Sequence, residues 1–162
     1  MGLALLSLGS NIEPEHYLGL AAMALREAFS EVIFSPVYRY VAVGFEGPDF
    51  FNAGAVLQTE LTPHELSGWL HALEDTHGRR RDVPRFSSRT LDIDLVLYDD
   101  CIIDGPGTLR LPRKDLRHAF VLEPLAEIAP DFIEPVSGLS LAQLWASHPD
   151  HQRPASPERL RL

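Results

Sequence analysis

The run from Leu91 to Tyr98 limits the fold of this chain more than any other feature. Its odd positions are leucine, isoleucine, leucine and leucine, and they alternate with Asp92, Asp94 and Val96. A period of two is typical of a β-strand that buries one face, so both aspartates are expected on the other face together with Val96. The chain therefore contains a sheet, and one strand of it carries paired carboxylates.

The rest of the chain predicts two helices and three further strands around this one. A first helix is expected after Pro14, and a second begins at the capping-box pattern of Thr62 and Glu65 and ends near Gly78. Strands are expected at residues 3–6, 32–43 and 52–59. The resulting order predicts an α+β fold of the ferredoxin-like, split βαβ type, with an antiparallel sheet and helices packed on one face. The other face would be free for a site.

Several prolines interrupt the sequence beyond Tyr98, so we expect only short secondary-structure elements there, with a last helix from Ser140 through Leu144. We expect a single domain over residues 1–148, followed by a polar C-terminal tail over residues 149–162.

Charge and cysteine content exclude several classes of function. The 162 residues carry a net charge of −9 and a single cysteine, Cys101. An acidic chain is a poor general binder of nucleic acid, and one cysteine forms no internal disulfide and suits a reducing compartment. The apolar run from Gly2 to Leu6 is too short for a membrane helix or a signal peptide. We expect a cytoplasmic protein with neither nucleic acid nor membrane as partner.

An arginine-rich loop precedes the strand of the paired aspartates. Between Arg79 and Arg89 the chain has five arginines and only one acid, Asp82. Arginine binds phosphate oxygens through a planar fork of donors, whereas carboxylates are the hard ligands that Mg²⁺ prefers. The combination predicts Mg²⁺ and a nucleotide triphosphate between Asp92, Asp94 and the loop. A solvated acidic face and a solvated or nucleic-acid-binding loop remain the alternatives.

Five motifs resemble, in order, the 6-hydroxymethyl-7,8-dihydropterin pyrophosphokinase family of folate biosynthesis. They are Gly9-Ser10-Asn11, Phe50-Phe51-Asn52-Ala53, the arginine loop, Arg89-Thr90-Leu91-Asp92-Ile93-Asp94 and Phe120-Val121-Leu122-Glu123-Pro124-Leu125. The likeness runs from about Leu3 to Pro130. It implies a ferredoxin-like enzyme that transfers pyrophosphate from ATP to the hydroxymethyl oxygen of the pterin and releases AMP.

The resemblance also implies roles for individual residues. Asp92 and Asp94 correspond to ligands of two Mg²⁺ ions, and Arg79 and Arg89 join them as catalytic residues. The implied ATP-binding set is His71, Glu74, Arg79, Arg81, Arg89 and Arg113. The implied pterin-binding set is Tyr40, Val41, Val43, Phe50, Asn52, Phe86 and Phe120.

The chain differs from the family at several of these positions. Phe86-Ser87-Ser88 replaces a tryptophan with Gly-Pro, Arg113 replaces a histidine, His118 replaces an arginine, and Tyr40 to Val43 replaces a segment with Thr-Pro. Two other functions therefore stay open: a non-catalytic or redirected paralogue that binds a pterin or nucleotide, and a metal-dependent nuclease or RNA binder.

Overall fold

The computed structural model describes residues 1–42, 45–78, 90–153, 155, 157–158 and 160–162. In chain order its elements are β1 (Gly2–Ser10), α1 (Pro14–Ala28), β2 (Val32–Phe34), β3 (Tyr38–Tyr40), β4 (Phe50–Thr59), α2 (Pro63–Thr76), β5 (Asp92–Tyr98), a 3₁₀ turn (Lys114–Arg117), α3 (Ala119–Ile128) and α4 (Leu141–Ala146). None of the helices in these ranges is long and apolar enough to cross a membrane.

The strands form one antiparallel sheet in the order β2-β4-β1-β5, and β3 pairs with β4 beyond the end of β2. Strands β2 and β3 thus share one edge of the sheet. Between them the Ser35 amide donates to the Gly54 carbonyl, and the Ser35 hydroxyl accepts from the Gly54 amide. The order is that of a split βαβ unit, so the predicted α+β fold is confirmed.

Helices cover both faces of the sheet, and the expectation of helices on one face alone is wrong. Leu18 of α1 and Leu66 of α2 pack with Leu6 and Leu8 of β1. On the opposite face, Leu5 packs instead with the group Val121, Leu122 and Leu125 of α3 and Leu141 of α4. Alternation along β1 therefore supplies two cores, and its residues are almost continuously buried.

Helix α3 is the element that sequence reasoning missed, because Pro124 lies inside it. Proline removes one backbone donor and usually breaks a helix. Here Val121, Leu122 and Leu125 are at most 3% exposed, and the apolar area that they bury offsets that loss. Gly54 of β4 makes room for the helix, since a Cβ at Gly54 would lie 2.8 Å from Leu125 Cδ2.

A register shift between Leu5 and Leu6 interrupts the pairing of β1 with β5. Leu5 pairs with Leu97, whereas Leu6 pairs with Leu95, so Val96 is the extra residue. Such a bulge reverses the alternation of faces. Leu97 consequently packs in the α3 core beside Val96, and the prediction that Leu97 shares a face with Leu95 is wrong.

The starts of α2 and α4 are as the sequence predicts. The Thr62 side chain accepts from the Glu65 amide and the Glu65 carboxylate accepts from the Thr62 amide, which is the expected capping box. Ser140 and Gln143 make the same exchange at the start of α4. Beyond residue 149, the Glu158 amide donates to the Val37 carbonyl at 2.7 Å, next to β3. The domain boundary at residue 148 stays a prediction.

Candidate functional site

Three carboxylates meet at one end of the sheet. Asp92 and Asp94 lie on β5, and Glu74 reaches them from the last turn of α2. One oxygen of each lies within 4.8 Å of the others. Glu74 is 1% exposed, and its Oε2 accepts from the Ile93 amide at 2.9 Å on the open edge of β5. The C-terminal end of α2 is thereby tied to the strand that carries the aspartates.

Negative charge is concentrated enough at this cluster to perturb Asp94. Burial, followed by repulsion from Asp92 and weaker repulsion from Glu74 and Asp115, raises the pKa of Asp94 well above its usual value, although Arg113 opposes the shift. Two like charges on adjacent same-face positions of a strand repel, and a partly desolvated site strengthens that repulsion. The folded protein therefore favours either a proton or a cation at Asp94.

Among the residues that the structure describes, Arg113 supplies positive charge beside Asp94. Its Nη2 lies 3.5 Å from Asp94 Oδ1, and its Nε donates to Asp115 Oδ2 at 3.1 Å. Its amide donates to the Val96 carbonyl, which holds the residue beside β5. Burial lowers the pKa of the Arg113 guanidinium. The negative charges of Asp94, Asp115 and Asp92 together raise this pKa by more than burial lowers it, so the net shift is upward. The guanidinium remains charged and faces the acidic cluster.

The donor set fits a hard divalent cation. Clustered carboxylate oxygens are the ligands that Mg²⁺ takes from proteins, and it keeps several waters besides. The raised pKa of Asp94 reports negative charge that Arg113 does not fully balance. Residues Glu74, Asp92 and Asp94 can therefore hold such an ion.

Asn52 lies on the same face, one strand beyond Gly9. Gly9 of β1 pairs with Asn52 on one side and with Asp92 on the other. With neighbouring strands roughly 4.8 Å apart, the α-carbons of Asn52 and Asp92 are about 10 Å apart. Residues directly opposite in a sheet point to the same side, so the amide and the carboxylate share one surface.

The Asn52 side chain has an unused acceptor. It is 5% exposed, and its Nδ2 lies 3.4 Å from the Leu8 carbonyl. Its Oδ1 is buried and has no hydrogen-bond partner among the described residues. A buried unpaired carbonyl is costly, so this oxygen is available to a ligand that brings a donor. A Cβ at Gly9 would lie 2.6 Å from Asn52 Nδ2, so glycine is required to leave the amide in this place.

Several aromatic residues lie near Asn52 in the sheet: Phe50 is two residues before it on β4, and Tyr40 pairs with Phe50. Phe120, the second residue of α3, stacks on the His118 ring with centroids 4.9 Å apart and planes 11° apart. Tyr40 lies edge-on to Phe120 at 6.3 Å, and Phe50 lies edge-on to Phe45 at 6.3 Å. These flat surfaces suit a planar heterocycle. Val41 is 78% exposed beyond Tyr40, and the structure does not bring it into this group.

The remaining predicted residues divide into two groups. His71 is exposed on α2, one turn before Glu74. The other predicted site residues lie outside the described residues: Val43, Arg79, Arg81, Phe86 and Arg89.

Sequence reasoning missed Asp115, Glu123 and the role of Gly9. Asp115 follows Arg113 by two residues, and that short spacing was its only signal. Glu123 lies within the motif from Phe120 to Leu125, but its partner Tyr40 is 83 residues away, so no local pattern marks the pair. In the motif Gly9-Ser10-Asn11, the Asn11 side-chain Nδ2 donates to the Pro48 carbonyl and anchors the segment that leads into β4.

Comparisons with known proteins identify a family that this chain resembles over most of its length. The model of the family described as 7,8-dihydro-6-hydroxymethylpterin-pyrophosphokinase (HPPK) matches residues 5–130. A 2-amino-4-hydroxy-6-hydroxymethyldihydropteridine pyrophosphokinase of Synechocystis is 38% identical over 87% of this chain and 73% of its own length. The enzyme of the same description from Pseudomonas aeruginosa is 39% identical over 88% of this chain and 90% of its own length.

Solved structures show the same fold in longer proteins. A crystal structure of HPPK-DHPS in complex with substrates has a TM-score of 0.69 at 13% identity and covers 90% of this chain. A Plasmodium falciparum HPPK-DHPS has a TM-score of 0.67. The present chain spans 43% of each of these two proteins. Because the match of the family model extends over most of the sequence and carries both Asn52 and the aspartate pair, the chain belongs to the HPPK family.

Proposed function

We propose that this protein transfers pyrophosphate from ATP to the hydroxymethyl group of 6-hydroxymethyl-7,8-dihydropterin, with release of AMP, in a Mg²⁺-dependent reaction. One observation carries the proposal: the carboxylate cluster and the buried Asn52 amide lie on one surface, on either side of Gly9. The family and the printed activity of its relatives supply the substrates. This reaction needs a place for metal and triphosphate at one end of the site and a place for a heterocycle at the other end.

Asp92 and Asp94 hold two Mg²⁺ ions in this proposal, and Glu74 fixes the strand that carries them. When bound, the ions neutralise charge on the triphosphate and polarise the reacting oxygens. Asp92 and Asp94 would position the ions against the triphosphate. No side chain has to act as a strong base. Arg113 is placed to contact a phosphate oxygen, because Asp94 and Asp115 already aim its guanidinium at the cluster.

Further ATP contacts come from the arginine loop in this proposal. Arg79 and Arg89 take catalytic roles, and Arg81 and His71 contact the nucleotide. Of these, His71 alone lies among the described residues, on the exposed surface of α2. The arginines stabilise negative charge that spreads over the phosphate oxygens during transfer.

The pterin occupies the other end. Asn52 Oδ1 accepts from the amino-pyrimidine edge, and Phe120 and Tyr40 face the ring, with Phe50 nearby. Val41, Val43 and Phe86 line its outer side in the proposal. Holding both substrates on one face of the sheet converts a bimolecular reaction into one between fixed groups, which is a large source of rate enhancement.

The test is a nucleotide product assay with ATP, Mg²⁺ and a panel of reduced pterins. We expect AMP to form in step with the pterin pyrophosphate. Formation of ADP excludes pyrophosphate transfer. An increase in melting temperature with pterin or ATP but no turnover identifies a non-catalytic paralogue instead.

Replacement of either aspartate tests the metal assignment. We expect Asp92→Ala and Asp94→Ala to lower kcat by several orders of magnitude, because each removes a ligand that positions charge in the transition state. Asp100→Asn is the matched control, since Asp100 is exposed just beyond the end of β5. Activity of both alanine variants within tenfold of the wild type contradicts the assignment.

The net charge of −9 and the single cysteine support a cytoplasmic enzyme of small molecules that binds neither nucleic acid nor membrane.

A further inference from the structure

A buried carboxylate on α3 joins three parts of the chain. Glu123 is 7% exposed and lies one turn after Phe120. Its Oε1 accepts from the Tyr40 hydroxyl at 2.7 Å and from the Ala155 amide at 3.2 Å. One oxygen therefore connects the end of β3, the second turn of α3 and the C-terminal segment. Nothing in the proposed chemistry uses this carboxylate.

The bond to Glu123 fixes the direction of the Tyr40 ring. Its centroid lies 6.3 Å from that of Phe120, edge-on. Burial, then the hydrogen bond to Glu123 and its charge, raise the pKa of the Tyr40 hydroxyl, so it stays protonated and donates. A charge-assisted bond of this length is stronger than a neutral one, and it restrains a side chain that otherwise rotates about χ1.

The outer edge of β3 is held in addition by residues that follow 153. Pro157 forms an isolated antiparallel β-bridge with Tyr38, and the Glu158 amide donates to the Val37 carbonyl at 2.7 Å. Glu158 Oε1 also lies 3.2 Å from Arg39 Nε. These contacts pair an edge that β4 leaves unpaired, and they bring the Ala155 amide to Glu123. The C-terminal segment therefore supports the strand from which Tyr40 projects.

We infer that Glu123 is a positioning residue for the pterin, acting through Tyr40, and that the Ala155 amide assists it. The inference rests on the proposed function for the identity of the ligand. Tyr40 pairs with Phe50, two residues before Asn52 on β4, and its ring contacts that of Phe120. The Tyr40–Glu123 bond therefore holds an aromatic ring near the part of β4 from which Asn52 offers its unpaired oxygen. The ATP end does not contact this network in the described residues, because Glu74, Asp94 and Arg113 belong to a separate cluster.

The experiment compares Glu123→Leu with Glu123→Gln by steady-state kinetics. Leucine keeps the approximate volume but accepts no bond, whereas glutamine keeps an acceptor oxygen. We expect Glu123→Leu to raise KM for the pterin about tenfold and KM for ATP less than twofold, and Glu123→Gln to stay within twofold of the wild type for both. Glu127→Leu and Glu127→Gln are the matched controls, one turn further along α3 at an exposed position.

Tyr40→Phe should raise the pterin KM by most of the leucine effect, because it breaks the Tyr40 bond and leaves the Ala155 bond in place. The double variant Tyr40→Phe with Glu123→Leu should show no increase beyond Glu123→Leu alone, because both changes break the Tyr40–Glu123 bond. Ala155→Pro removes the second donor and should raise the pterin KM about twofold to threefold. Equal changes in both KM values, or unchanged pterin KM in Glu123→Leu, overturn the inference. If Glu123→Leu does not fold, Tyr40→Phe and Glu123→Gln decide the matter alone.

Amide hydrogen exchange supplies a readout that needs no substrate. Exchange in the peptide spanning residues 38–42 should accelerate in Glu123→Leu and remain as in the wild type in Glu123→Gln and in both Glu127 variants. An unchanged rate in Glu123→Leu contradicts the positioning role even if the protein turns over no pterin. Absence of turnover in the wild type would contradict the proposed function but leave this result intact.

Discussion

At the scale of single residues, Asp94 shows how a site can destabilise the fold that carries it. Its pKa is raised by burial and by Asp92. The folded state therefore binds this proton more tightly than the unfolded chain does. The free energy of unfolding therefore falls as pH rises from the ordinary aspartate pKa of about 3.9 through the raised pKa of Asp94.

Asp94→Asn should consequently be more stable than the wild type when metal is removed. With EDTA present, we expect the difference in Tm to be small near pH 4 and to grow toward pH 8, by about 2–4 °C for each kcal/mol of repulsion relieved. Arg113 keeps its bond to Asp115 in this variant. Thermal unfolding followed by circular dichroism measures the difference. A variant less stable than the wild type at pH 8 would show that the Asp94–Arg113 pair outweighs the repulsion.

Gly9 offers a second test at the same scale. Its alanine variant places a methyl group 2.6 Å from Asn52 Nδ2, so the amide must move. We expect Gly9→Ala to raise the pterin KM at least tenfold while KM for ATP changes little. Gly19→Ala is the control, because no atom lies within 4 Å of its added Cβ, and in the middle of α1 it should stabilise the protein by about 0.5–1 kcal/mol. Equal kinetics for the two variants would remove Asn52 from the pterin site.

At the scale of elements, local patterns were predictable from the sequence and register was not. The alternation of Leu91 to Leu95 and the Thr62 capping box depend on neighbours in the chain, and both elements are found where expected. The bulge at Val96 depends on pairing with β1, some 90 residues earlier, and no local signal marks it. Helix α3 depends on burial against β4, which offsets the penalty of Pro124.

The same division applies to the site. Asp92 and Asp94 are two residues apart on one strand, so the sequence alone predicts that they share a face. Asn52, Gly9 and Asp92 become neighbours only through the register of three strands. The family resemblance includes Asn52, but the need for glycine at position 9 follows only from the three-dimensional contact, since a Cβ there would lie 2.6 Å from Asn52 Nδ2.

The capping box gives a prediction that separates folding from catalysis. Thr62→Ala removes the acceptor for the Glu65 amide and should lower the free energy of unfolding by about 1 kcal/mol. The kinetic constants should stay within twofold of the wild type, because Thr62 opens α2 and Glu74 lies near its other end. Urea unfolding and the product assay measure the two effects. Thr62→Ser, which keeps the acceptor, is the control.

At the scale of the whole molecule, ligand binding should stabilise a domain whose acidic cluster is under strain from like charges. With Mg²⁺ and a slowly hydrolysed ATP analogue at about 100 times Kd, we expect a stabilisation of about 2.7 kcal/mol, or roughly 5–10 °C in Tm. EDTA should reverse it, and Asp94→Asn should largely lack it. An increase of the same size with the analogue alone, in the presence of EDTA, would exclude a metal role for the cluster.

The interstrand spacing has a consequence for which substrates the protein can accept. Asn52 and Asp92 are separated by one intervening strand, and backbone hydrogen bonds, unlike side chains, cannot be lengthened by substitution. The sheet therefore fixes the distance between the amide of Asn52 and the carboxylate of Asp92. Point mutations can alter which ring is recognised, but they cannot alter how far that ring stands from the transferred group. A longer or shorter acceptor would need a different number of strands between the two ends.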